Sequence, residues 1–361
     1  MKATVLITAA GGPGAVNMTR SLQMDPELTL IGCDSSPYYV HLALTAVKAI
    51  VPRSSDVSAY LAAIVSLCRQ HSVDVVMPNN SLEAHVLSEH RALLPARVLL
   101  PPPSTLDLAN SKWASYRLWQ AGGFPVPESW LIETRADLRA VFEAHSGRPI
   151  WVRGAGIPGK GIGGAALPCR SLAQAEAWID FYAGWGGMMA SEYLPGENLT
   201  WIGLFDHGRL VTSAARRRLA YVIPHVSPSG ITGAPAISEI IHDSRLNQLA
   251  VRAALAVDPM LTGPSFLDFK GDADGSPRIT EINAGRFGTT HHFYSAAGLN
   301  LPHLAVQLAL NVLPDPPPSQ FDALEAGLVW IRTLDAGPVL IHRRELDRLG
   351  VELRVEPKEA S

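Results

Sequence analysis

The sequence predicts a two-part chain, an α/β region built on an open, mostly parallel sheet followed by an α+β region built on antiparallel strands. Three observations carry this. From Ala3 to about Ser111 short β-branched runs alternate with longer helical ones. From Asn198 to about Pro314 strands are joined by hairpin turns such as Asp206-His207-Gly208 and Asp272-Ala273-Asp274-Gly275. Between them lies a glycine-dense segment, 154–164, that reads as a flap between two strands.

In the first region strands are expected at Thr4 to Thr8, Leu28 to Cys33, Ala49 to Pro52, Asp74 to Met77 and Val98 to Leu100, with helices starting near Ala15, Val57 and Glu83. Pro101, Pro102 and Pro103 mark a boundary. The middle region opens on a helix, Lys112 to Ala121, stopped by Gly122-Gly123. A strand near Trp130, a helix Arg135 to Ala144, strands at Pro149 to Arg153 and Ala165 to Leu167, a helix Ser171 to Tyr182 and a strand Met188 to Leu194 complete a lid-sized unit. Beyond it, helices are expected near Ser244 to Val257 and Leu301 to Leu310, and the part after Pro318 as a small α/β element.

With 361 residues, 47% of them apolar, the chain exceeds one core, so two or three subdomains are expected. A formal charge of −3 and the lack of any long basic block argue against nucleic acid as a principal partner. Pro, Gly or charge interrupts every apolar run before the roughly 20 residues of a bilayer span. The opening residues read as a first strand and not an export signal, because Gly-Gly-Pro-Gly follows at once. Three scattered cysteines, Cys33, Cys68 and Cys169, suit neither a zinc site nor a disulfide framework, so a reducing cytoplasm is expected.

Gly11-Gly12-Pro13-Gly14 lies between a strand and a helix, where free N–H groups can hold an anion, and Asp34 ends the next strand as in a dinucleotide fold. Asn17 replaces the third glycine of that fingerprint, so a tight turn with no ligand, or with part of a substrate, is preferred over NAD(P). The second cluster, Gly154-x-x-x-x-Gly159-Lys160, has Gly161 where a Walker loop needs Ser or Thr, and a strand follows. A flap that folds over a triphosphate fits better, with Arg153 as a fixed charge beside it.

Glu281 and Asn283, two apart on a strand, share a face, and the hairpin brings Asp268 alongside. Two carboxylates and an amide oxygen form a hard site suited to Mg²⁺ that also ligates phosphate. Arg286 follows in a loop of small residues, where its fork can stabilise a transferring phosphoryl group. Alternation puts Arg216 and Arg218 on one face and Arg217 on the other, without fixing which face looks into a cleft. His291-His292 lack a further zinc ligand nearby and read as polar loop histidines, and there is no Gly-x-Ser-x-Gly elbow.

In this order the pieces resemble an ATP-grasp enzyme, in the branch similar to one half of a carbamoyl-phosphate synthase large subunit. The motifs are 9–14, Ser111-Lys112, 123–127, Trp151-Val152-Arg153 with the flap, 191–197, and Thr280-Glu281-Ile282-Asn283. The resemblance implies an ATP-grasp fold in four parts: a Rossmann-like pre-grasp domain (1–110), a glycine-flap lid (111–195), an antiparallel core (196–318) and a terminal element (319–361). It implies ATP contacts from Lys112, Arg153 and the flap residues Gly159, Lys160 and Gly161, with Glu192, Tyr193 and Leu194 reading adenine. Asn198 stands where the family usually has an acid for the ribose, with Glu197 beside it as the alternative. Asp268, Glu281 and Asn283 would hold Mg²⁺, with Mn²⁺ as a substitute, and Arg286 and Arg218 would act on the transferred phosphate.

One extra residue separates Asn283 from Arg286 relative to the family's usual ending, and a second grasp half and a glutaminase triad are lacking, so full carbamoyl phosphate synthesis is not expected. The implied activity is an ATP- and Mg²⁺-dependent ligase that activates a carboxylate as an acyl phosphate and passes it to an amine or thiol. The loop Val222 to Pro235 and the first domain would select the small carboxylate and amine substrates. A catalytically silent ATP-binding regulator is the alternative, ahead of an NAD(P) oxidoreductase, and a homodimer is expected from base rates.

Overall fold

A computed structural model of the chain describes residues 2–145, 147–160, 166–227, 229–231, 233–312, 314–334 and 352–354. Near-continuous apolar runs at the N-terminus form strands β1 (Ala3–Ile7), β2 (Leu28–Asp34), β3 (Val47–Ile50) and β4 (Val75–Met77). They pair in parallel in the order β3-β2-β1-β4. Burial on both faces explains why these strands read as unbroken apolar stretches. Helices α1 (Pro13–Leu22), α2 (Val57–Gln70) and α3 (Ser81–Glu89) follow the first, third and fourth strands. Asp56 and Asn80 cap the last two by accepting from Ala59 N and Glu83 N.

The expected strand at Val98 to Leu100 does not form; the stretch is tied to β4 by one bridge, Val75 to Arg97. Pro101 to Pro103 have no N–H to extend a ladder, and Pro103 instead starts a helix, α4 (Pro103–Asn110), that the sequence reading had not placed.

The turn before α1 is closed from behind. Gly11 N donates to Asp34 Oδ2 at 3.1 Å, and a Cβ on Gly11 would stand 1.8 Å from the carbonyl oxygen of Tyr39. Gly11→Ala is therefore expected to lower stability by about 2–3 kcal/mol, because backbone must move to admit the methyl. Calorimetry checks this; a melting temperature equal to the parent's would show that the contact is slack.

Ser111 accepts from Ala114 N to start α5 (Lys112–Ala121). Strands β5 (Ser129–Ile132), β6 (Ile150–Gly154), β7 (Ala166–Cys169) and β8 (Met188–Glu192) form an antiparallel sheet in the order β5-β8-β6-β7. Helices α6 (Arg135–Ala144) and α7 (Leu172–Phe181) pack on it through Leu138, Val141, Ala175 and Ile179. The glycine segment links β6 to β7, whose register sets Arg153 opposite Ala166.

The largest sheet comprises β9 (Asn198–Asp206), β10 (Arg209–Tyr221), β11 (Pro235–Ile241), β12 (Gly263–Gly271), β13 (Pro277–Ala284) and β14 (Val329–Ile331). Its order is β13-β12-β9-β10-β11-β14, antiparallel throughout. Helix α8 (Ser244–Val257), capped by Asp243, covers one face over Trp201, Phe205 and Leu267. Helices α9 (His292–Ala296) and α10 (Leu301–Ala309) lie toward the other, whose apolar part, Ile202, Leu204 and Ala214, shares a core with Val5, Ile7 and Met18 of the first region. The same face also carries Glu281, Asp268, Thr200 and Arg216. After residue 318, Val329–Ile331 extends this sheet and Glu352–Arg354 pairs antiparallel with β3. Among the described residues no helix is long and apolar enough to cross a membrane, and the three cysteines are buried and free.

Candidate functional site

Direct cross-strand partners share a face, and one such row runs Glu281, Asp268, Thr200, Arg216 across β13, β12, β9 and β10. Its Glu281 end lies under the lid sheet, where a cleft of about 320 Å³ is lined by both sheets and by Lys112. Lys112 Nζ lies 3.5 Å and Arg153 Nη1 3.6 Å from Glu281 Oε2. Arg218 Nη1 lies 3.5 Å from Asp268 Oδ2, whose other oxygen accepts from Thr200 Oγ1 at 2.7 Å. Ser111, the cap of α5, and the hydrogen bond from Arg153 Nη2 to Thr280 O at 2.6 Å fix the first two cations in place.

Burial disfavours a charge on Glu281, but Lys112 and Arg153, helped by Asn283 and Arg218, outweigh it and hold the carboxyl below its usual range. Burial likewise works against charge on Arg218, and Asp268 overcomes it. Lys270, pushed down by burial and then by Arg218, also lines the cleft. Among the charged side chains lining the cleft, Lys112, Arg153, Arg218 and Lys270 thus outnumber Glu192, Asp268 and Glu281. The Nε atoms of Arg153 and Arg218 are buried without a partner. Unspent guanidinium donors beside surplus charge suit a polyphosphate.

The donor set also suits a hard cation. Among the described residues no three His, Cys, Asp or Glu side chains cluster as ligands, so a metal here would rest on Asp268, Glu281 and the Asn283 amide oxygen, with phosphate or water completing the shell. Asn283 Nδ2 lies 3.4 Å from Glu281 Oε1, and its Oδ1 accepts from Arg286 Nη2 at 2.6 Å, which leaves that oxygen one lone pair.

The remaining expected residues divide. Glu192, Tyr193, Leu194 and Asn198 line the cleft, with Tyr193 and Leu194 beyond the end of β8. Arg218 lies on the cleft face, whereas Arg217 is on the opposite one, bound to Glu197 Oε1 at 2.6 Å and Glu239 Oε2 at 3.0 Å. Glu197, the alternative ribose ligand, is therefore engaged outside the cleft wall. Gly159, at φ +78°, and Lys160 are exposed and do not line the cleft; the Lys160 ammonium lies beside Gly186. Gly161 lies outside the described residues. Arg286 does not line the cleft itself but sits beside its acids: it donates through Nη2 to Asn283 Oδ1 and through Nε to Ser81 Oγ at 3.0 Å, and burial pushes its guanidinium down while Glu281 and Asp268 work against it.

Asp34, the acid of the dinucleotide reading, accepts from Gly11 N and Ser36 N, so it braces the turn. Sequence reasoning had missed Lys270 and Thr200. The first sits two residues past Asp268 and so shares its face, a signal that was available; the second depends on β9 lying beside β12.

No protein-family model matches the chain. It is 27% identical over 211 residues to a D-alanine–D-alanine ligase of Laribacter hongkongensis, which spans 57% of this chain and 66% of that protein. Among solved structures it is similar to the biotin carboxylase domain of Hydrogenobacter thermophilus 2-oxoglutarate carboxylase, determined with MgADP, ADP and bicarbonate (TM-score 0.66, 13% identity, 91% of this chain and 74% of that one). It also resembles an L-amino acid ligase from Bacillus licheniformis (TM-score 0.63, 16%, 90% and 78%). A third is the carboxyaminoimidazole ribonucleotide synthase of Aspergillus clavatus in complex with ATP (TM-score 0.62, 16%, 91% and 80%). The chain has an ATP-grasp fold. At these identities the structural likeness speaks for the fold alone.

Proposed function

We propose that this protein is an ATP- and Mg²⁺-dependent ligase that joins a small carboxylic acid to an amine or thiol through an acyl phosphate. The observation that carries the reading is the convergence of Lys112, Arg153 and Arg218 on the Asp268–Glu281 pair, with buried guanidinium donors left over. The relatives named above, ligases among them, support the reaction class, and the sequence motifs support the carbamoyl-phosphate synthase branch.

Bound Mg²⁺ would neutralise phosphate charge, held by Asp268, Glu281 and Asn283. Lys112 and Arg153 would bind the phosphates, Glu192, Tyr193 and Leu194 the adenine, and Asn198 the ribose. A carboxylate oxygen of the substrate attacks the γ-phosphorus, the bond to the β-phosphate oxygen breaks, and ADP leaves. The nucleophile then attacks the acyl carbon, loses its proton and expels phosphate. Arg218, and Arg286 after a shift of its loop, would stabilise charge on the transferring group. The glycine segment with Gly159, Lys160 and Gly161 would close over the triphosphate and exclude water from the acyl phosphate.

ADP release with Mg²⁺, assayed across pooled amino acids and small carboxylic acids, tests the proposal. Release that depends on one acid, with a product of the summed mass less water, supports it. Tight Mg²⁺–ATP binding with no release in any pool would favour a nucleotide-binding regulator instead.

A further inference from the structure

The same sheet face carries a second group of buried polar side chains, away from the Glu281 end. Arg216, 7% exposed, lies under Tyr294 of α9 and beside Trp330 of β14, with its guanidinium carbon 5.8 Å and 5.4 Å from the two ring centroids. Its Nη1 donates to Thr290 Oγ1, but its Nε has no partner. Among the described residues no carboxylate pairs with it. Arg218, two positions along, and Arg332, whose guanidinium is pushed down by burial and then by Arg216, add charge of its own sign, while the acid in its row, Asp268, is two strands away and paired with Arg218. A buried cation without a counter-charge is among the costliest features a fold can carry.

Four more buried polar atoms close by lack partners: Ser238 Oγ, His291 Nε2, Tyr294 OH and Trp330 Nε1. Ser238 is the cross-strand partner of both Arg218 and Trp330, and His291 precedes Tyr294 by one helical turn. Native proteins leave few such atoms unsatisfied, so five in one place mark the seat of a polar ligand. Their chemistry is specific. His291 Nδ1 lies 2.6 Å from Gly288 O and must carry the proton, and burial pushes the imidazole down to about 4, so at neutral pH Nε2 is a bare acceptor. The cluster thus offers one cation that no carboxylate pairs with, several donors and one neutral acceptor, held by a loop that Asn17 and Arg332 both grip at Thr289 O.

We propose that this cluster binds the carboxylic acid substrate, with its carboxylate on Arg216 and an adjacent amino or hydroxyl group donating to His291 Nε2, which makes the substrate an α-amino or α-hydroxy acid. The assignment deepens the ligase reading and rests on it for the word substrate. The terminal phosphate of ATP is another anion that could meet Arg216, and the two sources are separable.

Isothermal titration of the full chain, with and without Mg²⁺–ATP, with each of the twenty protein amino acids and their α-hydroxy analogues, tests the assignment. The unsubstituted acid and the primary amide matching each binder complete the series. At least one amino or hydroxy acid should bind, and its unsubstituted analogue and amide at least about tenfold more weakly, because a buried polar group is then left unpaired. Arg216→Gln should weaken that acid by about 30-fold and Tyr294→Phe by about fivefold, both leaving ATP affinity within about twofold. Four outcomes overturn the assignment. No member of the series binds; the unsubstituted acid binds equally well; Arg216→Gln weakens ATP rather than the acid; or it lowers the melting temperature while acid affinity is unchanged, which would make Arg216 a structural residue. Acid binding is read without turnover, so it can succeed where ADP release fails, and ADP release can persist with an acid indifferent to Arg216.

Discussion

Replacing Glu281 with Gln is expected to cut ADP release by at least about 10³-fold in a folded protein. Gln keeps the volume and an oxygen for the Asn283 amide, but removes the charge that Lys112 and Arg153 share. The two cations are then left facing one another with Asp268 as the nearest acid, and a metal loses one of its two carboxylates. Stability should respond in a pH-dependent way. The Glu281 carboxyl is held below its usual range in the fold, so its contribution is present above the unfolded value and is lost as pH falls through the folded one. The variant should therefore melt lower than the parent at neutral pH, with the gap closing in acid. A coupled ADP assay and melting curves at several pH values check both halves; activity within tenfold of the parent would sink the metal assignment.

Arg218→Met should reduce ADP release by about 10²-fold to 10³-fold, while the same change at Arg217 leaves it nearly intact. The contrast follows from their faces. Arg218 is buried against Asp268, whereas Arg217 bridges Glu197 and Glu239 on the opposite side of β10. Losing one partner of a buried pair costs about 3–5 kcal/mol, so Arg218→Lys, which keeps the charge, serves as the folded reference with intermediate activity. Equal rates for the Arg218 and Arg217 variants would remove Arg218 from the reaction.

The elements most legible in the sequence were those with local signatures. Gly122-Gly123 stops α5, and the Asp272 to Gly275 turn sets Asp268 opposite Glu281. What could not be read depends on sheet order. Chain order runs β9, β10, β11, α8, β12, yet β12 inserts beside β9, and that insertion gives Asp268 its Thr200 partner and extends the row to Arg216. Alternation alone paired Arg216 with Arg218 but could not choose their side. The bond of Glu197 to Arg217 was equally illegible, because Arg217 comes from the neighbouring strand. The proline run hid α4, since prolines that read as a boundary also suit a helix start, with Pro102 at the cap and Pro103 in the first turn.

The loop at Thr289 and Thr290 is gripped by residues from far along the chain, Asn17 on α1, Arg216 on β10 and Arg332 after β14. Among the described residues, those lining the cleft proposed for the nucleotide run from Lys112 to Glu281. The cluster around Arg216 therefore shares its strands with the cleft, while the loop that closes it is held from outside that stretch by Asn17 and Arg332. Variation in acceptor choice among relatives would then be written in residues around 17, 290 and 332, leaving the energy-supplying half untouched.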